Sequence, residues 1–413
     1  MKKTIIFFKG IYDTLDLFSD YIQEAFSELG FGTFVYRAET EKQSKEALLA
    51  MLQKEKGDYV VVAFNNLGYN LDMSLPENVS TFEGIEEKGT EWSVKKENLV
   101  NVWEYYQIPY INILMDHPFH FERPLNEMPS TAILLCVDRN HVKYIRRYYK
   151  NIRQVDFLPH AGIELGRKHK PLQDRKIDVL YAGALPIYTV AKMIPDLPEM
   201  YGVDTSKMMP EILRELVVHP DKTTEQAIEE YINASGKSLS EEELRQIIVH
   251  MRFVDSYATS FFREQAVRIL VENGIEVTAY GVGWNQCDWS DNPYLKYGGK
   301  VMAPQILPLM NDSKIVLNTM TWFKAGAHDR IFNGMLAGAV VATDDSTYMN
   351  REFTDGKELI LFKRTELGAL PERICDLFGH LERAQEIANC GYQAARSFHL
   401  WKNRVEYIIE CFL

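Results

Sequence analysis

At 413 residues the chain exceeds what one compact core usually holds, so two domains are expected. An apolar fraction of 46% with 12% aromatics describes a globular protein rather than a disordered one. A formal charge of −12 argues against a nucleic-acid partner, whose phosphates need a basic field, but leaves room for a local basic pocket.

The first apolar run, residues 4–8, reads as a buried parallel strand and is too short for a secretion signal. Leu15, Phe18, Ile22, Ala25, Phe26 and Leu29 then fall on one helix face, with Gly30 as its stop. Residues 33–36, 59–64, 110–115, 132–137 and 155–158 repeat the strand signal. Helical patterns lie between most of them, at 45–55 and 98–107 for example. This alternation predicts a doubly wound parallel sheet over residues 1–166. Residues 167–176, charged and containing Pro171, read as a linker.

A second series starts with a strand at 177–182. A helix at 261–273, strands at 275–280 and 314–319, a helix at 330–336 and strands at 339–343 and 359–362 follow. The expectation is an α/β fold with a second Rossmann-like domain over 176–397, the two domains facing a cleft. The alternative is two α/β modules without a shared site. Residues 187–255 interrupt the second series with a helical insertion, in which Ser240-Glu241-Glu242-Glu243 forms a capping box. It reads as a decoration or a surface for an oligomer or partner contact.

Cys136, Cys287, Cys375, Cys390 and Cys411 are odd in number, widely spaced and without a C-x-x-C pair, which suggests neither a disulfide framework nor a zinc site. No stretch approaches the ~20 apolar residues of a membrane span. A cytoplasmic protein without an integral membrane segment is expected, and the Asn78-Val79-Ser80 sequon reads as chance.

Ligands in open α/β sheets sit beyond the carboxyl ends of the strands. Four such ends stand out: Gly183-Ala184-Leu185, Gly281-Val282-Gly283-Trp284, the run from Asn318 to Lys324, and Asp344-Asp345-Ser346. The glycines allow close backbone approach, and Trp284 offers an aromatic face to a base. His328-Asp329-Arg330-Ile331-Phe332-Asn333 reads as polar residues opening a short helix, which Gly338 stops before a buried strand. Backbone N–H groups and the helix dipole at such a start favour an anion.

These segments resemble, in order, the CgeB-like (spore-maturation protein type) branch of the group 1, GT-B glycosyltransferases. Val277 to Trp284 matches a V-x-x-Y-G-x-G-W strand end, with Tyr257 and Arg263 just before it on a helix start. Lys314-Ile315-Val316-Leu317-Asn318 matches K-I-x-L-N. Arg330 to Ala339 matches the R-x-F-[NE]-x-M-x-x-G-A donor segment. His399 and Arg404 match an H-x-x-x-x-R tail, and Leu158-Pro159-His160-Ala161 an interdomain L-P-H-A. The resemblance implies a GT-B fold whose last helix, within 398–413, packs back on the first domain. It implies a nucleotide-diphospho-sugar donor, UDP-linked, held through Gly183, Tyr257, Arg263, Gly281, Gly283, Trp284, Asn318, Lys324, His328, Asp329, Arg330 and Asn333. Arg330 and Lys324 would meet the diphosphate. Asn333 stands where many relatives place the second glutamate of E-x7-E; the first falls on Ala325, a departure from the pattern that leaves the sugar contact and the stereochemistry open.

No Asp-x-Asp motif lies at a matching strand end, so cationic side chains and the helix dipole are expected to meet the diphosphate without a metal or other cofactor. On the first-domain side, Asp116 and His117 follow a strand directly, where they could orient or deprotonate an acceptor hydroxyl. An Asx turn and a satisfied core histidine are the plain alternatives, and a metal held by Asp116, His117 and His120 is a further one. Gly10 and Asp13 face the same cleft in this reading. Residues 65–97, with Asn65, Asn66, Tyr69, Phe82 and Trp92, suit an acceptor lid or a plain surface loop. The function expected is sugar transfer to an unknown saccharide or protein acceptor. The rivals are a nucleotide-sugar epimerase of the same fold and a binding or assembly protein with a decayed site.

Overall fold

The computed structural model describes residues 3–54, 57–74, 99–185 and 195–413. Residues 78–80, Phe82, Trp92 and the start of the insertion lie outside these.

The N-terminal sheet contains β1 (Thr4–Lys9), β2 (Gly32–Arg37), β3 (Tyr59–Phe64), β6 (Tyr110–Leu114), β7 (Ala132–Cys136) and β8 (Gln154–Phe157). Between β3 and β6 a small antiparallel pair forms from β4 (Asp72–Ser74) and β5 (Leu99–Asn101). The main sheet is parallel in the order β2-β1-β3-β6-β7-β8. Every residue of β3, β6 and β7 is buried, which is why those segments read as unbroken apolar runs instead of alternating ones.

A short antiparallel pair, β10 (Glu199–Met200) and β11 (Val203–Asp204), opens the described part of the insertion. The second sheet contains β9 (Ile177–Ala182), β12 (Val277–Tyr280), β13 (Leu295–Gly299), β14 (Ser313–Asn318), β15 (Val340–Asp344) and β16 (Ile360–Phe362). It too is parallel, in the order β13-β12-β9-β14-β15-β16, so the winding reverses between β9 and β14. β13 is absent from the sequence reading. It is a half-exposed edge strand ending in Gly298-Gly299, with little apolar signal to find.

The last helix, Trp401–Phe412, lies against helix Asp13–Glu28 of the first domain. The Trp401 ring sits 5.0 Å from Phe18 and 5.8 Å from Phe64. Arg404 clamps the interdomain crossing: it donates to the carbonyls of Pro159 (2.8 Å), His160 (2.7 Å) and Phe398 (3.0 Å). Gly162 in that crossing passes so close to helix Asp329–Leu336 that a Cβ there would lie 2.7 Å from the Phe332 Cβ.

The insertion is not a free surface. Helices Thr205–Val218, Thr224–Ala234 and Glu241–Met251 share one apolar cluster with the N-terminal domain, running from Ile228 and Ile248 to Tyr144, Ile145 and Leu134. Arg147 of the first domain grips Glu229 through both terminal nitrogens (2.8 Å each) and Glu241 through Nε (2.6 Å). Gln246 reaches Glu122 at 2.7 Å. The apolar stripe of these helices is thus covered by the protein's own first domain. Periodicity reveals that a helix has an apolar face but not what buries it.

Ile228, fully buried in that cluster, tests the shared core. Ile228→Ala should cost about 2–5 kcal/mol and leave one calorimetric transition for insertion and first domain together. A separate early transition for the insertion would contradict the shared core.

Candidate functional site

A cleft of about 510 Å³ opens between the two sheets. The first domain contributes Tyr12, Thr14, Leu15, Phe18, Asn65, Met115, Asp116, His120 and Phe121; the crossing contributes His160; the second domain contributes Trp322, Phe323, His328 and Asp329. All these first-domain residues follow strands β1, β3 or β6, so the carboxyl ends of both sheets face one space, as the winding rule requires.

The two domains are tied beside the cleft by Asp138. Its buried carboxylate caps helix Arg139–Tyr148 through the Asn140 N–H (2.6 Å) and accepts the Ala325 N–H (2.7 Å) of the second domain. The Arg139 N–H returns a bond to the Ala325 carbonyl at 3.3 Å. Gly326 makes this approach possible, since a Cβ there would fall 2.3 Å from the Val137 carbonyl oxygen. Burial raises the Asp138 carboxyl to about 6 against the pull of those two N–H groups.

Helix Asp329–Leu336 begins beneath the cleft with His328 as its N-cap. The His328 Nδ1 lies 2.5 Å from Asp329 Oδ1, and its Nε2 lies 2.8 Å from Arg330 Nη2. One neutral tautomer fits both contacts: Nδ1–H donates to the carboxylate, and Nε2 accepts from the guanidinium. In that tautomer Nδ1 cannot also accept the backbone N–H of Arg330, 3.3 Å away, so His328 caps the helix by position and not through that bond. Burial, followed by the Arg330 charge, pushes His328 down to about 4, consistent with a neutral ring. Burial acts to raise Asp329, but His328 and the cations around it hold the carboxyl well below its usual range. His160 stacks on His328 at 5.7 Å, and burial pushes it to about 3.

Arg330 spends one terminal nitrogen on His328. The other, Nη1, is buried with no hydrogen-bond partner among the described residues and lies 3.3 Å from where a Cβ on Gly183 would stand. Arg263 comes in from helix Phe253–Glu272, donates to the Ala184 carbonyl (2.8 Å) and lies 5.1 Å over the Trp322 ring, with its Nε unpartnered among the described residues. Two desolvated guanidiniums with unused donors thus meet where the winding reverses between β9 and β14. Unpaired buried donors of this kind are costly unless an anion or water completes them.

Other predicted residues have structural partners. Asn333 accepts the Ile163 N–H (2.8 Å) and donates to Asp329 (2.9 Å), so both ends of its amide are engaged. Trp284 is fully buried, donates to the Gly183 carbonyl (2.7 Å) and meets Tyr181 edge-on; it offers no open face. Gly281 (φ 125°) and Gly283 (φ 103°) let the loop after β12 press on Gly183 and Leu185, where a Cβ would meet backbone at 2.6 and 2.5 Å. Their close approach is to another loop of the chain. Asn318 donates to Thr343 (3.0 Å) across β14 and β15 and keeps its buried carbonyl oxygen unpartnered. Tyr257 is half-buried, its ring 6.3 Å from Phe253.

Lys324 reaches the insertion. Its amine donates to the Pro220 carbonyl at 2.5 Å, beside Arg364, which holds the same oxygen (2.8 Å) and Asp344 (2.7 Å). Burial, then the Arg364 charge, lowers Lys324 to about 7. Sequence reasoning missed Arg364 and Asp138, although Asp138 directly follows the strand signal at 132–137 and Arg364 stands two residues past the one at 359–362.

Asp116 and His117 part company. Asp116 faces the cleft and accepts the Asn65 amide at 2.9 Å; crowding by the cleft walls raises its carboxyl, within the limit set by its exposure to solvent. His117 is turned away from the cleft: Nδ1 accepts the Phe119 N–H, and the ring packs 3.7 Å from Phe119 and 4.4 Å from His141. Its Nε2 faces Glu225 of the insertion at 3.6 Å. The short 3-10 turn begun by Pro118 causes this reversal and brings His120 to the cleft instead. Burial and the neighbouring His117 push His120 to about 4. Asp116, His117 and His120 therefore do not converge as a metal triad, and among the described residues no group of three His, Cys, Asp or Glu side chains does.

Residues 259–410 match a family model described as glycosyl transferase-like. No curated protein matches the sequence. Over its whole length the structure is similar to sucrose-phosphate synthase from Thermosynechococcus elongatus, with a TM-score of 0.52 and 8% identity over 100% of this chain and 98% of that one. The Anabaena protein HepE, solved with UDP and glucose, aligns with a TM-score of 0.50 and 10% identity over 98% of each chain. The fold is GT-B. In GT-B terms the cleft lies between the two Rossmann-like domains, and the matched segment carries Arg263, Lys324 and Arg330. The family match is to the broader glycosyl transferase-like group and does not single out the CgeB-like branch. Among the described residues no helix is long and apolar enough to cross a membrane.

Lys324 gives a testable linkage. With an ordinary value of 10.5 and about 7 in the fold, the unfolded chain holds a proton between those values that the native state lacks. Stability from this site should therefore rise as pH increases from 7 to 10. Melting curves of the wild type and Lys324→Met across that range should diverge in the wild type's favour. A constant difference would mean that the amine stays charged.

Proposed function

We propose that the protein is a metal-independent glycosyltransferase that takes a sugar from a nucleotide-diphospho-sugar, UDP-linked, and delivers it to a hydroxyl group in the cleft. One observation carries this reading: Arg330 Nη1 and Arg263 Nε, buried without partners among the described residues, belong to side chains that stand at Gly183 and Ala184, just past the end of β9. A diphosphate supplies the charge and acceptor atoms those donors lack, and charge developing on the leaving group would be stabilised by groups already in place. The UDP and glucose found with HepE support the choice of donor. In the CgeB-like resemblance the same arginine occupies the donor-binding motif.

The opposite wall suits an acceptor. Asp116 is a carboxylate at a strand end, open to the cleft and placed to take a proton from a hydroxyl. On this wall Tyr12, Phe18 and Phe121 give aromatic surface and Asp116 a hydrogen-bond acceptor, and Trp322 and Asp329 add one of each from across the cleft. That mixture fits a saccharide better than an anionic acceptor. His117 enters this reading as packing between the acceptor turn and the insertion, and Lys324 as a cation that reaches a diphosphate only by leaving Pro220.

Arg330→Ala should weaken UDP binding roughly ten- to a hundredfold, because a charge-assisted contact contributes about 1.5–3 kcal/mol. Arg330→Lys should restore only part of it, since an amine cannot reproduce a two-pronged fork. Calorimetry on the folded variants decides this; unchanged affinity would reduce Arg330 to a helix-start residue.

Turnover of a UDP-sugar should survive EDTA. Loss with EDTA and recovery with Mg²⁺ or Mn²⁺ would overturn the metal-free reading.

A further inference from the structure

We infer that Asn65 is a positioning residue: it holds the Asp116 carboxylate in place at the cleft, and its left-handed backbone is the strain that this position demands. The inference rests on the reading of Asp116 as the acceptor-side base.

Asn65 and Asn66 follow β3 with φ of 44° and 67°, two consecutive non-glycine residues in the left-handed region. Such a pair is uncommon, and glycine would meet the same backbone demand with less strain. The side chains therefore explain why asparagine stands there. Asn65 Nδ2 donates to Asp116 Oδ2 at 2.9 Å, while its Oδ1 accepts the Met115 N–H at 2.8 Å. One amide thus fixes both the carboxylate and the backbone immediately before it. Asn66 performs the matching task one layer deeper: its N–H meets Asn112 Oδ1 at 2.9 Å, and Asn112 Nδ2 donates to Asn66 Oδ1 at 2.7 Å. Asn112 is fully buried in β6. The elbow after β3 is thereby locked to the strand whose end carries Asp116.

The consequence is chemical as well as geometric. The Asn65 amide donates only to the ionised carboxylate's benefit, opposing the upward push of the cleft walls. Asp116 Oδ2 is occupied by Asn65, and among the described residues this leaves Oδ1 as the oxygen to face an acceptor hydroxyl. The titratable groups that line the same cleft are Tyr12, His120, His160, His328 and Asp329.

Asn65→Gly is the test variant, because glycine tolerates the left-handed backbone and so keeps the elbow while removing the amide. The Asp116 carboxyl is followed by carbon-13 NMR on aspartate-labelled protein, with Asp116→Asn identifying its signal. The carboxyl should titrate at higher pH in Asn65→Gly than in the wild type. Transfer from a UDP-sugar should lose roughly ten- to a hundredfold in kcat, with the acid limb of the pH profile moved upward and the donor KM unchanged. An Asp116 titration identical in both proteins overturns the inference. A moved titration with unchanged transfer upholds the hold of Asn65 on the carboxylate and overturns the reading of Asp116 as the base.

Discussion

A carboxylate buried between two domains fixes the geometry on which the cleft depends. Asp138 has no solvent to turn to, so it is satisfied by an N–H from each side: Asn140 of its own helix and Ala325 in a loop of the second domain. Either bond alone would leave part of a buried charge uncompensated, and that cost keeps the domains at one separation here. Gly326 is the steric condition for this contact, and Arg404, on the last helix, holds the crossing from the other side. The walls carrying Asp116 and Asp329 are thus held facing each other by contacts outside the cleft. Ala325 serves this seam through its backbone.

The second theme is cations kept dry. Arg330, Arg263, Lys324 and Arg364 gather behind the carboxyl ends of β9, β14 and β15, and the chain satisfies them unequally. Arg364 receives Asp344 and the Pro220 carbonyl; Lys324 receives the same carbonyl. Arg330 and Arg263 retain unused donors. The insertion accounts for the difference. It delivers Pro220 to one pair of cations and Glu225 to the back of the acceptor turn, while its apolar face lies on the first domain. Its described residues therefore touch both halves of the cleft without lining it.

Much of the fold was legible because parallel strands buried on both faces leave unbroken apolar runs, as in 59–64 and 110–114, and helices leave one-sided spacing, as from Leu15 to Leu29. β13 was not legible, since a half-exposed edge strand has no reason to be apolar. Near the cleft, the helix start that carries Arg330 and the strand end that carries Asp116 were legible as positions. The partners of Trp284 and Asn333 were not. The sequence identifies an aromatic or an amide near a strand end, but the 2.7 Å bond from Trp284 to Gly183 and the 2.8 Å bond from Ile163 to Asn333 join segments over a hundred residues apart.

The sequence by itself determined the alternation of strands and helices, the two-sheet organisation and the positions of the polar strand ends, because each follows from local periodicity and backbone chemistry. Tertiary structure alone decided which polar groups remain unpartnered. Asp116 and His117 are neighbours in the chain, yet one faces the cleft and the other packs on His141, because the turn at Pro118 reverses between them. Whether a buried donor is a binding group or a structural one depends on whether another part of the chain reaches it, and that is settled only when distant segments have packed.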